Sequence, residues 1–372
     1  MTISAKRVEL IELFYDLIYV YAISRLTALL EEPSGGIIPA MDAFQYLVTS
    51  FVILQAWLYL TNYVNRFGQW RWYEYAIVFL NLTATVYMTN TISHDWSHMA
   101  LPFSIAMLIM LLCVALLYLI QWIRGDASQG AARNSLSILL IVCTIYLIAI
   151  LCSRFGKTGA TLFLDVVAVF TGAFLPFFRK GNFQVEIINF PHLVERFELL
   201  TIITFGEAVV GMTGYFRIHD FSPAPVLVFG VILSLFGSYV VQIHQMLEHH
   251  QVTRALPLMF SHYFIVISIN LITVGLHLLQ NNETDPLFLC ALLILSLLVY
   301  FVSLMANHIY YKPGYRFSKT DGLVMGSLLL AGSVIMLLGR ARLYGILGGP
   351  LLITAGNAAY LLQKYRTPRK DS

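Results

Sequence analysis

Charge is what this 372-residue sequence has least of: Asp, Glu, Lys and Arg make up only 12% of it. A soluble domain carries about a quarter charged residues, so the chain lacks the polar surface that would keep it in water. Cysteine is also scarce. Cys113, Cys143, Cys152 and Cys290 all fall in apolar runs at unrelated spacings, so they read as small core hydrophobes rather than a disulfide framework or a metal site. There is no G-x-x-x-x-G-K-[ST] loop, no dinucleotide-binding glycine fingerprint and no nucleophile elbow. No connection between apolar runs exceeds about 20 residues, too short for a soluble catalytic or nucleotide-binding domain. ATP-driven transport by this chain alone therefore does not fit, no cofactor is expected, and no recognised catalytic motif argues for an enzyme. A net charge of +3 leaves no footprint for nucleic acid.

What the sequence has instead is apolar length. Hydrophobic residues make 58% of it, the mean hydropathy is +0.74, and runs of roughly 18–24 residues recur, each able to cross a hydrocarbon core about 30 Å thick. Twelve helices are predicted, over 9–30, 43–65, 73–93, 100–123, 134–153 and 159–178, then 195–216, 224–248, 257–280, 287–310, 321–339 and 343–363. The breaks have loop chemistry: EEPSGG at 31–36, RGD at 124–126, RKGN at 179–182, NNETDP at 281–286 and YKPG at 311–314. GILGGP at 345–350 leaves open a broken or re-entrant segment near the end. The first apolar run carries Glu12, Asp16 and Arg25 and no small-x-small cleavage site, so it is expected to stay as a mature helix.

Charge placement sets an orientation. With the amino terminus inside, seventeen of the 23 Lys and Arg residues fall on the inner side, five (Arg154, Lys157, Arg217, Arg340 and Arg342) on the outer, and Arg25 within a helix. Cytoplasmic loops retain positive charge, so both termini are expected in the cytoplasm.

The two halves resemble each other. VELIEL at 8–13 returns as VERFEL at 194–199, an offset of 186 residues with four identities in six, and LCSR at 151–154 returns as LLGR at 337–340 at the same offset. Pro102 with Phe103, and Pro286 with Phe288, are expected to open the fourth and tenth helices. The fold expected is an all-α membrane protein of about twelve transmembrane helices, arranged as two six-helix pseudo-repeats, 1–186 and 187–372. With an even number of helices per half, both halves share one orientation, as in transporters built from parallel repeats.

ELIELFYDLIYV at 9–20 resembles the E-L-F-x-D-L-x-x-V signature of the bacterial low temperature requirement A family, and HLVERFELLTIITFGE at 192–207 resembles that family's E-R-x-x-L-x-x-I-I-x-x-G-E block. Ala255-Leu256-Pro257 is similar to a third, weaker block. These motifs cover about a tenth of the chain, and Ala208 stands where Ser is common in the family. The resemblance implies an integral inner-membrane protein and supplies no activity.

Candidate chemistry lies in the intramembrane ionisable residues, which are costly there and face a partner or a wet cavity. Glu9, Glu12 and Asp16 share a helical stripe with Ile23 and Thr27, and Arg25 lies roughly opposite. Glu9, Glu12, Glu195 and Glu198 are placed in first helical turns, where a carboxylate favours the positive end of the helix, with Lys6, Arg7 and Arg196 as sequence-local partners. Asp16 and Glu207 lie deeper. Gly206 would permit close packing or unwinding beside Glu207, and Arg25 is a candidate partner for Glu207. The ligand or ion-coupling candidates are Glu12, Asp16, Arg25, Glu198 and Glu207. Asn81, His192, His262 and Asn270 are secondary, and polar groups such as Asn81, Asp165 and Asn270 read first as packing glue between helices. His244 with Glu248 has i,i+4 spacing but lacks the H-E-x-x-H pattern, and no metal site is expected.

Three functions remain. The first is a secondary transporter or permease of a small polar or ionic solute, bound near the first and seventh helices, with carboxylate-dependent gating. The second is an intramembrane or lipid-handling enzyme using Glu12, Asp16, His192 or Glu198. The third is a non-catalytic membrane factor for low-temperature growth. Beyond the lipid bilayer and a small solute or ion, the sequence implies no partner and fixes no oligomeric state.

Overall fold

The computed structural model describes residues 6–124, 129–178, 185–216 and 222–368. The RGD break, in part, and the RKGN break lie outside the described residues, as do Arg179, Lys180, Arg217, Arg369 and Lys370. Among the described residues there are twelve α-helices and no strand. They are α1 (Leu10–Thr27), α2 (Ala40–Phe67), α3 (Trp72–Asn90), α4 (Trp96–Arg124), α5 (Gln129–Arg154), α6 (Thr158–Phe178), α7 (Phe190–Gly211), α8 (Ala224–Tyr239), α9 (Leu256–Leu278), α10 (Pro286–Met305), α11 (Lys319–Gly339) and α12 (Leu343–Arg366).

Eleven of these helices, some with a following short turn, are long and apolar enough to cross a membrane. The twelfth is α3, whose first turn is Trp72-Tyr73-Glu74 and which also carries Asn81 and Asn90. The outward faces are apolar. On α11, Leu323, Leu330 and Leu338 are 73%, 66% and 83% exposed, a row that would aggregate in water and is at home in lipid. The protein is a multi-pass membrane protein.

Local chemistry moves several helix starts from their expected positions. α4 begins at Trp96, because the Asp95 carboxylate accepts from the Ser97 N–H at 2.8 Å and caps the helix; Pro102 lies inside α4 rather than at its start. α7 begins at Phe190, where the Asn189 side chain accepts from the His192 N–H at 3.1 Å. Glu195 and Glu198 are therefore beyond the first turn, and the helix-end role expected for them is corrected. α10 begins as expected, at Pro286, with the Asp285 carboxylate accepting from the Phe288 N–H at 2.7 Å. α12 runs unbroken through GILGGP. Its glycines serve close packing: a Cβ on Gly332 of α11 would lie 2.7 Å from the Gly349 carbonyl oxygen of α12. α8 passes into a π-helical turn, Val240–Met246, a distortion often found at functional sites.

The chain forms two compact units. Unit 1 comprises Met1–Leu29, Ala40–Arg196 and His250–Arg254; unit 2 comprises Leu30–Pro39, Phe197–His249 and Ala255–Ser372. In unit 1, α4 packs on α3, α5 and α6, α5 packs on α6, and α2 packs on α1, α4 and α6, with α1 also on α3. In unit 2, α10 packs on α9, α11 and α12, α11 packs on α12, and α8 packs on α12.

Candidate functional site: a buried ion cluster in unit 1

α1 buries one face, through Glu12, Tyr15, Asp16, Tyr19 and Ile23. Glu12 and Asp16, one turn apart, are 1% and 0% exposed. Two carboxylates cannot stay ionised in an apolar interior without a cation, and Arg196, itself 1% exposed, supplies one. One terminal guanidinium nitrogen donates to Glu12 Oε2 and the other to Asp16 Oδ1, each at 2.5 Å. Trp57 of α2 completes the contact: its indole N–H donates to Asp16 Oδ1 at 2.7 Å, and its ring centroid is 5.5 Å from the Arg196 guanidinium carbon.

His192, fully buried one turn before Arg196, places Nε2 3.1 Å from Glu12 Oε2. Asn65 of α2 fixes the ring. Asn65 Oδ1 accepts from the Asn189 N–H at 3.1 Å while its Nδ2 donates to the Asn189 carbonyl at 2.8 Å. The same Nδ2 lies 3.0 Å from His192 Nδ1. An amide nitrogen only donates, so Nδ1 accepts, which orients the ring with Nε2 on the Glu12 side. Nearby, Lys6 donates to the carbonyls of Val64 and Gly68 at the end of α2. Burial pushes its pKa below the usual lysine range, more strongly than the fields of Glu12 and Glu74 raise it.

The cluster is not fully satisfied. Asp16 Oδ2, His192 Nε2 and Arg196 Nε are buried and have no hydrogen-bond partner among the described residues. Two carboxylates share one guanidinium directly. Protonating Glu12 or Asp16, or bringing in a further cation, would change the balance of the group.

The remaining candidates are dispersed. Arg25, near the end of α1, is exposed, and Glu207 of α7, in unit 2, is partly buried. α7 continues unbroken through Gly206, with nothing within 4 Å of where a Cβ would stand. In unit 2, Glu198 Oε1 lies 3.2 Å from Nδ1 of His244, on the π-helical turn. His262 is fully buried, with Nε2 3.0 Å from the Tyr239 hydroxyl and Nδ1 2.7 Å from the Leu258 carbonyl. Asn81 donates to the Met110 carbonyl at 2.9 Å and so joins α3 to α4, the packing role expected of it. Asn81 Oδ1, Asn270 Nδ2 and both oxygens of Asp165 have no hydrogen-bond partner among the described residues.

Sequence reasoning missed Arg196 and Trp57 as members of the site. Arg196 was matched to neighbouring acids in its own helix. The signal that points to it is charge balance: two deep acids on α1 require a cation, and Arg25 lies on the wrong face.

Together these features define a polytopic α-helical membrane protein with a buried ion cluster carried on helices long and apolar enough to span. The sequence profile of the bacterial low temperature requirement A protein (LtrA) matches residues 7–355, a stretch that contains Glu12, Asp16, Trp57, His192 and Arg196. The chain belongs to that family. A search of curated proteins found no match.

Proposed function

We propose that this protein is a secondary transporter or permease of a small polar or ionic solute, with the Glu12–Arg196–Asp16 cluster as its carboxylate-dependent gate. The observation that carries this reading is a charged group held at 1% exposure or less in apolar helices, with Asp16 Oδ2 and Arg196 Nε still unpartnered. Such groups are retained at membrane depth where they serve ions, protons or substrates. Protonation of a carboxylate would weaken the bridge between α1 and α7, and a solute binding one of the two resulting states better would shift the population. Glu198 and Glu207 are outside this group and are secondary in the mechanism.

The reading extends to architecture: two six-helix repeats of one orientation, in an inner membrane, with both termini cytoplasmic. It is supported by packing pairs that recur at an offset of six helices, α2 on α6 with α8 on α12 and α3–α4–α5–α6 with α9–α10–α11–α12, and by the placement of Lys and Arg.

A thermal-shift screen of the purified protein against carboxylates, amino acids and alkali and ammonium cations at several pH values tests the proposal. A ligand at a hundredfold excess over its Kd stabilises by about 2.7 kcal/mol. The expected result is a pH-dependent shift that Asp16→Asn abolishes while the variant still inserts. A shift of the same size in Asp16→Asn removes the cluster from the mechanism.

The third reading, a non-catalytic membrane factor, is favoured by one observation. Full burial and ties across α1, α2 and α7 are also what a structural clamp requires. On that reading, cluster substitutions lower stability and no solute binds.

A further inference from the structure

A second buried carboxyl lies away from the cluster. Asp165 of α6 is 0% exposed, and neither of its oxygens has a hydrogen-bond partner among the described residues. One and two turns on, along the same face of α6, come Ala168, Val169 and Gly172. Ala168 and Val169 line a small cavity with room for about one water molecule, walled also by Gln55 and Tyr59 of α2 and Tyr146 of α5. Gly172 is needed there: a Cβ at that position would lie 1.8 Å from the Tyr59 hydroxyl oxygen. Tyr146 is both a wall of the cavity and an electrostatic neighbour of Asp165. α6 thus carries a carboxyl and a row of small residues beside a cavity edged by two tyrosines and an amide.

The surroundings decide the state of the carboxyl. Its electrostatic neighbour among the described residues is the uncharged Tyr146 of α5, which in turn neighbours Cys143 of α5 and Tyr59 of α2, and Tyr118 of α4 neighbours Tyr59. The buried cation of α2, Arg66, has its electrostatic contact with Tyr118 and Arg254, not with Asp165. An ionised carboxylate with no cation and no donor is strongly disfavoured in an apolar interior, and the neutral acid is the alternative.

We propose that Asp165, with Tyr146 and the adjoining cavity, is a proton-binding site: the carboxyl rests as the neutral acid and exchanges its proton with water entering the cavity. Release breaks the carboxyl O–H bond, passes the proton to that water and leaves the carboxylate beside Tyr146. The site is separate from the Glu12–Arg196–Asp16 cluster, so it stands or falls independently of the gate.

Infrared spectroscopy of the purified full chain at neutral pH tests it. The expected result is a protonated-carboxyl carbonyl band that shifts in heavy water and disappears in Asp165→Asn. Wild-type and Asp165→Asn spectra with the same protonated-carboxyl absorption would overturn the proposal. If Asp165→Asn does not fold, the wild-type chain is treated with dicyclohexylcarbodiimide, which modifies protonated carboxyls from the apolar phase, and mapped by mass spectrometry. Modification of Asp165 that falls as pH rises supports the site; an unmodified Asp165 at every pH overturns it.

Discussion

Arg196 holds the most consequential side chain in unit 1, because among the described residues it is the guanidinium that pairs with both Glu12 and Asp16. Removing one partner of a buried ion pair leaves an uncompensated charge, at a cost of roughly 3–5 kcal/mol. Arg196→Met should therefore lower stability by about that much in denaturant unfolding in detergent, and Asp16→Asn in the Arg196→Met background should recover part of the loss. Trp57→Phe keeps the ring and removes the N–H that meets Asp16 Oδ1; leaving a buried acceptor short costs about 1–3 kcal/mol, readable in the same assay. Lys6 adds a pH dependence. Its pKa is lowered in the folded protein, so between the folded and unfolded values the unfolded chain binds more protons, and stability rises with pH through that window. Unfolding midpoints of wild type should rise relative to those of Lys6→Met as pH climbs into the lysine range, and parallel curves would contradict this.

At the scale of elements, the start of α7 sets the depth of the cluster. Asn189 caps the helix through its contact with the His192 N–H, and this start places His192 and Arg196, one turn apart, opposite Glu12 and Asp16. Replacing such a cap with Ala costs about 0.5–2 kcal/mol. Asn189→Ala should destabilise by that amount and loosen α7's first turn, seen as faster amide exchange at His192 and Leu193. α11 and α12 depend on close approach instead. Because a Cβ on Gly332 would press against the Gly349 carbonyl, Gly332→Leu should cost more than the roughly 1–3 kcal/mol of ordinary overpacking, in the same unfolding assay. Gly206→Ala on α7 should be neutral or mildly stabilising, since nothing crowds it and alanine favours helix.

Across the whole molecule, the sequence made the helices legible and left the site half hidden, for physical reasons. Apolar run length is a local property, so the twelve helices are readable within a few residues of their ends. Glycine and proline signals were ambiguous, since GILGGP reads equally as a break or as close packing, and only the neighbouring α11 decides. Glu12, Asp16 and His192 stand out as polar groups in apolar runs. Their partners do not, because Arg196 lies 184 residues from Glu12 and its reach depends on where α7 begins. Trp57 gave no signal, since a tryptophan in an apolar helix is ordinary core. The most direct measurement is solute-coupled flux in liposomes carrying the purified chain, with internal pH followed during addition of carboxylate, amino-acid, alkali and ammonium probes. The account predicts that one probe class drives a pH or substrate flux that Asp16→Asn abolishes in correctly inserted protein. Absence of flux for every probe, or equal flux in wild type and Asp16→Asn, would contradict it.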